Sequence, residues 1–191
     1  MSIIEIVDNT VPQEMFELSY EKVFSKGIWD FSNNSEHGDI NTSFGANSYS
    51  LEINKLLEEG KLNESNVIFN LWNSINDKIK VEDKYKNNLK RIHFNCGPPL
   101  YDQFIHQDDQ VTFSKNITIV YFAHPIWDIS WGGELLVYDM LKTTVTAGVF
   151  PVPNRAVVFP SYLPHRGVAV SRICPAMRIS IAFQCTFNNT L

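Results

Sequence analysis

From Leu135 onward the chain is cut into short runs of β-branched and aromatic residues, and no other feature restricts its fold so tightly. The runs are Leu135 to Tyr138, Thr144 to Phe150, Ala156 to Phe159, Gly167 to Val170 and Met177 to Phe183. Gly132-Gly133, Pro151, Pro153, Pro160 and Pro164 punctuate them. Such side chains suit a pleated surface, and Gly and Pro end the pairing. Two helices are expected ahead of this region. Pro12 suits a first turn, and Phe16, Tyr20, Val23 and Phe24 recur at helical spacing until Gly27. Ser65 or Asn63 is expected to cap the second helix, which runs through about Ile79. Its apolar face is Val67, Ile68, Leu71, Trp72, Ile75 and Ile79. The expected class is mainly β with supporting helices: a jelly roll with N-terminal helices packed on one sheet.

Further strands are expected at 3–8, at Ile28 to Phe31 and at Leu89 to Asn95. In the last of these Ile92 and Phe94 share one face and His93 falls on the other, as a partly exposed residue. Residues 32–50 are rich in Ser, Asn and Gly and read as one long loop. It is either a surface connection or a lid, and Phe44 and Tyr49 are apolar residues that a purely solvated loop does not need.

A chain of 191 residues supports one core, so 1–191 is read as a single domain. The net charge of −5 argues against a general nucleic-acid binder, which presents a basic surface. No stretch is apolar for long enough to span a membrane. The first residues lack the basic flank and apolar core of a signal peptide. Cys96, Cys174 and Cys185 are odd in number with no paired spacing. They are expected to be reduced thiols in the cytoplasm.

Within this frame Phe104-Ile105-His106-Gln107-Asp108-Asp109 is the stretch with chemistry. If it is extended, His106 and Asp108 point to one side and offer two adjacent ligands to one metal ion. The later histidines are His124 and His165, and His165 is the expected third ligand. Two histidines and a carboxylate on one face suit non-haem Fe(II), with zinc as the competing metal. Past His165, Met177 to Phe183 alternates as a strand and places Arg178 and Ser180 on one face. A cation on a mostly apolar strand calls for an anion, and a guanidinium beside a hydroxyl makes a carboxylate clamp.

The order His106-x-Asp108, His165, Arg178-x-Ser180 resembles that of the 2-oxoglutarate- and Fe(II)-dependent dioxygenases. The text between resembles the prolyl 4-hydroxylase-like branch: 118–122, Pro125-Ile126-Trp127, 131–135, 151–160 and 170–174. The resemblance covers about residues 90–185, the expected catalytic core, with 1–90 as support. It implies a double-stranded β-helix of cupin-like form, with the metal in the mouth of the roll.

For the site the resemblance implies Fe(II) on His106, Asp108 and His165, and 2-oxoglutarate on Arg178 with Ser180 and Thr118. No catalytic residue is implied beyond the metal ligands. Dioxygen is the third reactant and ascorbate the expected reductant. The reaction is oxidative decarboxylation of 2-oxoglutarate coupled to hydroxylation of a C–H bond. The expected substrate is a prolyl residue in a peptide or protein, as for procollagen-proline dioxygenases. Tyr101 and Trp127 are candidate substrate contacts, and Glu134 is expected to be structural. The chain departs from the family pattern at Phe122, where a second tyrosine often supplies a hydroxyl; Ser180 or Thr118 would replace it. Asp108 disfavours halogenation, because related halogenases carry a small residue there. A free amino acid remains an alternative substrate. A cupin-like zinc enzyme and a catalytically silent binding module remain alternative functions.

Overall fold

The computed structural model describes residues 4–21, 25, 30–33, 43–45, 47–79 and 89–186. Among them lie two antiparallel sheets. The larger holds β1 (Glu5–Val7), β8 (Ala156–Pro160), β5 (Ile117–Phe122), β10 (Arg178–Cys185), β4 (Leu89–Gly97), β3 (Ser43–Gly45) and β2 (Asp30–Asn33), in that order. The smaller holds β7 (Val145–Val149), β6 (Leu135–Tyr138) and β9 (His165–Gly167). Among the described residues three α-helices precede β4: α1 (Gln13–Ser19), α2 (Asn47–Glu58) and α3 (Val67–Lys78).

The period-2 alternation of the central strands sorts side chains into two layers. Ile92, Phe94 and Cys96 of β4, Ile117, Ile119 and Tyr121 of β5, and Ile179, Ile181, Phe183 and Cys185 of β10 face the helices. There they pack with Phe16, Ile53, Ile68, Leu71, Trp72 and Ile75. Trp72 meets Phe183 with ring centroids 5.2 Å apart. Phe122, Val157 and Phe159 of the larger sheet face Leu135, Val137 and Val149 of the smaller one. Arg178, Ser180, Ala182 and Gln184 alternate with the helix-facing residues of β10, and so lie on this inner face. So do His93 and Asn95, which pair with Ala182 and Ser180. The result is a jelly roll whose larger sheet is braced from outside by helices, as the alternation predicts.

Several boundaries differ from the sequence reading. Residues 32–50 are not one loop. Asp30–Asn33 and Ser43–Gly45 pair as antiparallel strands and Asn47 opens α2. Residues 34–42, with Gly38, lie outside the described residues. α2 buries Ile53, with Leu56 and Leu57 packed against the same core, and ends where Gly60 takes a positive φ of 64°. α3 is capped by Asn66, whose side chain accepts from the Ile68 amide at 2.8 Å. Asn63 instead holds a turn through the Ser65 amide. β9 starts at His165, earlier than the expected Gly167 to Val170, because its partner is β6. The stretch around His106 is not a regular strand. It touches β9 through one bridge, between His106 and His165.

Candidate metal centre

That bridge builds the site. His106 N donates to His165 O at 3.0 Å, and His165 N donates to His106 O at 2.9 Å. The amides of Asp108 and Asp109 both donate to Ser161 O, at 3.0 and 3.1 Å. Two segments far apart in sequence are thereby joined backbone to backbone, and their side chains converge. One ligand atom each from His106, Asp108 and His165 lies within 4.8 Å of the others. His106 Nε2 is 3.9 Å from Asp108 Oδ1, and His165 Nε2 is 3.7 Å from Asp108 Oδ2.

Each imidazole is oriented by its other nitrogen. His106 Nδ1 meets Phe104 O at 3.0 Å and His165 Nδ1 meets Leu163 O at 2.9 Å. A carbonyl only accepts, so Nδ1 carries the proton and the Nε2 lone pair is turned to the common point. Burial pushes the His165 pKa down to about 4, against the pull of Asp108, so this ring is neutral at pH 7. Asp108 Oδ2 accepts from Thr118 Oγ1 at 2.7 Å. Since that bond uses the Thr118 hydrogen, Ser161 Oγ, 3.0 Å away, donates to Thr118. Thr118, expected against 2-oxoglutarate, thus holds the carboxylate of Asp108. Two imidazoles and a carboxylate around one point fit a divalent ion such as Fe(II), and fit zinc equally well.

His124, the rival third ligand, is elsewhere. It is buried, its Nε2 is on the Pro151 carbonyl, and its ring lies 4.3 Å from that of Trp127. His93, set aside on sequence, lines a cavity of about 730 Å³ together with Asp108, Ser161, Gln184, Arg91 and residues of α2. Burial first, then Arg91, lowers its pKa to about 4. The signal was the alternation that buries Ile92 and Phe94 on the opposite face; what faced His93 required the strand order.

Arg178 lies at the other end of β10 and is 5% exposed. Its Nη1 donates to Gly133 O at 2.9 Å, and its Nε is buried without a partner. No carboxylate of the described residues forms an ion pair with it. Burial lowers its pKa to about 10, opposed by Cys96, Glu134 and Tyr101, so it stays charged at pH 7. A buried cation with an unused donor fits an anionic ligand such as a carboxylate. Ser180 follows on the same face, also buried. Tyr101 is half-buried near Arg178, and Trp127 donates from Nε1 to Gly132 O at 3.0 Å. Neither Tyr101 nor Trp127 lines the cavity beside Asp108. Phe122 packs in the inner apolar layer, and the Tyr121 hydroxyl donates to Asn154 Oδ1 at 3.2 Å.

The comparisons agree with this geometry. Residues 95–184 match the family model of the 2OG-Fe(II) oxygenase superfamily. No curated protein sequence matches the chain. Among solved structures the chain is similar to a prolyl hydroxylase from Trichoplax adhaerens, solved with a hypoxia inducible factor oxygen degradation domain peptide fragment. The TM-score is 0.62 at 15% identity, over 98% of this chain and 84% of that one. It is similar to a 2OG-Fe(II) oxygenase family oxidoreductase from Burkholderia pseudomallei, with TM-score 0.62 and 12% identity over 98% and 86%. It is also similar to a Pseudomonas putida prolyl-4-hydroxylase, with TM-score 0.54 and 15% identity over 98% and 94%. At these identities the likeness shows the fold, the double-stranded β-helix.

Proposed function

We propose, from the match of residues 95–184 to the 2OG-Fe(II) oxygenase superfamily, that this chain is an oxygenase of that kind and hydroxylates a prolyl residue of a peptide or protein. The observation that carries the reading is the convergence of His106, Asp108 and His165 within 4.8 Å. In this reading those three hold Fe(II), and Arg178, with Ser180 beside it, clamps the distal carboxylate of 2-oxoglutarate. Bound there, iron, 2-oxoglutarate and dioxygen supply an oxidant able to hydroxylate an unactivated C–H bond, with succinate and carbon dioxide as coproducts. Ascorbate serves as reductant.

The chain's own residues then do three things. Phe104 O and Leu163 O fix the two rings, and Thr118 fixes the carboxylate. Arg178 binds an anion in a site where water is largely excluded, which strengthens the pairing. The cavity beside Asp108 takes the substrate. It lies where β10 ends, at Gln184 and Cys185, while Arg178 begins that strand. Co-substrate and substrate therefore approach from opposite ends. Its volume of about 730 Å³ suits a residue with its neighbours.

Residues 1–191 act as one domain in this reading. Glu5–Val7 and Arg178–Cys185 belong to one sheet, which supports it. The free, buried Cys96, Cys174 and Cys185 support a reducing cytoplasm. No helix of the described residues is long and apolar enough to cross a membrane.

The test is succinate formation from 2-oxoglutarate with Fe(II) and ascorbate, run with proline-containing peptides and with free amino acids. Peptide-stimulated turnover with gain of one oxygen atom on proline is expected. Stimulation by a free amino acid alone would move the assignment to a small-molecule hydroxylase. Absence of turnover with zinc-dependent activity, or with binding only, would overturn it. Arg178→Ala should raise the 2-oxoglutarate KM more than about a hundredfold, since it leaves a carboxylate unpaired in a dry site.

A further inference from the structure

Gly167 has no backbone reason to be glycine. It sits in β9, paired with Leu135, and its φ is not among the positive values that Gly60, Gly132 and Gly133 adopt. Glycine inside a strand weakens it and marks a close approach by another group. Here the approaching group is Arg178. A Cβ on residue 167 would stand 2.1 Å from Arg178 Nη2, 2.4 Å from Nη1 and 2.6 Å from Cζ. The guanidinium crosses from the larger sheet and brings its Nη1–Nη2 end into the volume a side chain on β9 would fill. Gly167 is two residues past His165, so the same face of β9 carries the metal-site imidazole and then the guanidinium.

The surroundings fix how the guanidinium is turned. Gly133 O takes Nη1 at 2.9 Å. That leaves the edge formed by Nε and Nη2, and Nε is buried without a partner. Two parallel N–H groups on one edge match the two oxygens of a carboxylate.

We propose that Gly167 is a positioning residue that works as a matched pair with Arg178: its missing side chain makes the bed on which the guanidinium presents its Nε–Nη2 edge to the 2-oxoglutarate carboxylate. This rests on the reading of Arg178 as the carboxylate clamp. Gly97 lies outside the bed. A Cβ there would meet Arg178 Nε at 3.7 Å, an ordinary contact. Gly133 is a poor test, because its φ of 78° requires glycine whatever the space.

The experiment is calorimetric binding of 2-oxoglutarate to the Mn(II)-loaded protein without turnover, with thermal unfolding of each variant alongside. Gly167→Ala should weaken 2-oxoglutarate by about tenfold or more, the loss of one charge-assisted bond. Gly97→Ala should bind as the parent does. Arg178→Lys weakens binding in the parent but should relieve it in Gly167→Ala, because an ammonium on a flexible stem can move off the new methyl. If Gly167→Ala folds poorly, Arg178→Ala decides the matter. With the guanidinium gone the new Cβ loses its three nearest neighbours, so Gly167→Ala should cost stability only when Arg178 is present. Equal cost in both backgrounds, or parental affinity in Gly167→Ala, overturns the pairing. Unchanged affinity in Arg178→Ala alone would instead overturn the clamp on which it rests, and the unfolding cycle would still report on the pairing.

Discussion

Thr118 has one hydroxyl hydrogen, and Asp108 receives it at 2.7 Å. Thr118→Val keeps the shape and removes the bond. Metal affinity is expected to fall about 10- to 100-fold, the usual effect of removing a partner of a ligand. Competition with a chelator measures it, and an unchanged affinity would show that Asp108 is held by its backbone alone. His124→Ala should leave metal affinity intact while His165→Ala abolishes it; the reverse would undo the ligand set. His106, Asp108, His165 and Arg178 are visible in the sequence because each is an unusual residue for its surroundings. Thr118 and His93 are not. A threonine on a strand is ordinary, and its partner is decided by register, which sets Thr118 opposite Gln184 and Phe159.

Among the elements, β6, β7, β8 and β10 were legible because short apolar runs between Gly and Pro are a local signal, whereas β9 was expected two residues too late. α2 was not, since it opens on Asn47, Ser48 and Ser50, residues that favour caps and turns over helix interiors. Its place became clear only from Asn54. That side chain donates to Ile92 O at 2.7 Å and accepts from Ile92 N at 2.8 Å. β3 pairs with β4 at Asn95 and Cys96, and Asn54 continues the pairing along the strand edge at Ile92. Asn54→Ala should lower stability by about 1–3 kcal/mol, because both backbone groups lose their partner. Asn54→Asp should recover only the accepting half. Urea unfolding distinguishes them, and a neutral Asn54→Ala would mean that water replaces the amide. The same change would open the cavity wall, which Asn54 shares with His93 and Asp108.

At the scale of the whole molecule, enclosing three imidazoles, with His124 and His165 buried and His93 half-buried on the cavity wall, ties stability to pH. His93, His124 and His165 each have a pKa lowered from 6.5 to about 4, in every case first by burial. The unfolded chain therefore binds protons on these groups at a higher pH than the folded one. Their neutral forms are compatible with the fold above about pH 6.5, and stability falls as pH drops from there toward 4. Each contributes up to about 1.4 kcal/mol per pH unit in that window. Asp8 and Asp109 act below it. Both carboxyls are depressed beneath 3.8, Asp8 first by its bond to Arg155 and Asp109 by its hydrogen bonds in spite of burial. Their contribution is present above the ordinary carboxylate range and is lost only as pH falls through the lowered values. Urea unfolding of the metal-free protein between pH 7 and 4.5 should thus show a slope carried by histidine. His124→Phe keeps an aromatic ring against Trp127 and removes one titrating group, so it should flatten the slope by about one proton's worth. A slope unchanged by that substitution would mean that His124 accepts its proton without unfolding, and that the layer between Trp127 and Pro151 is open to water.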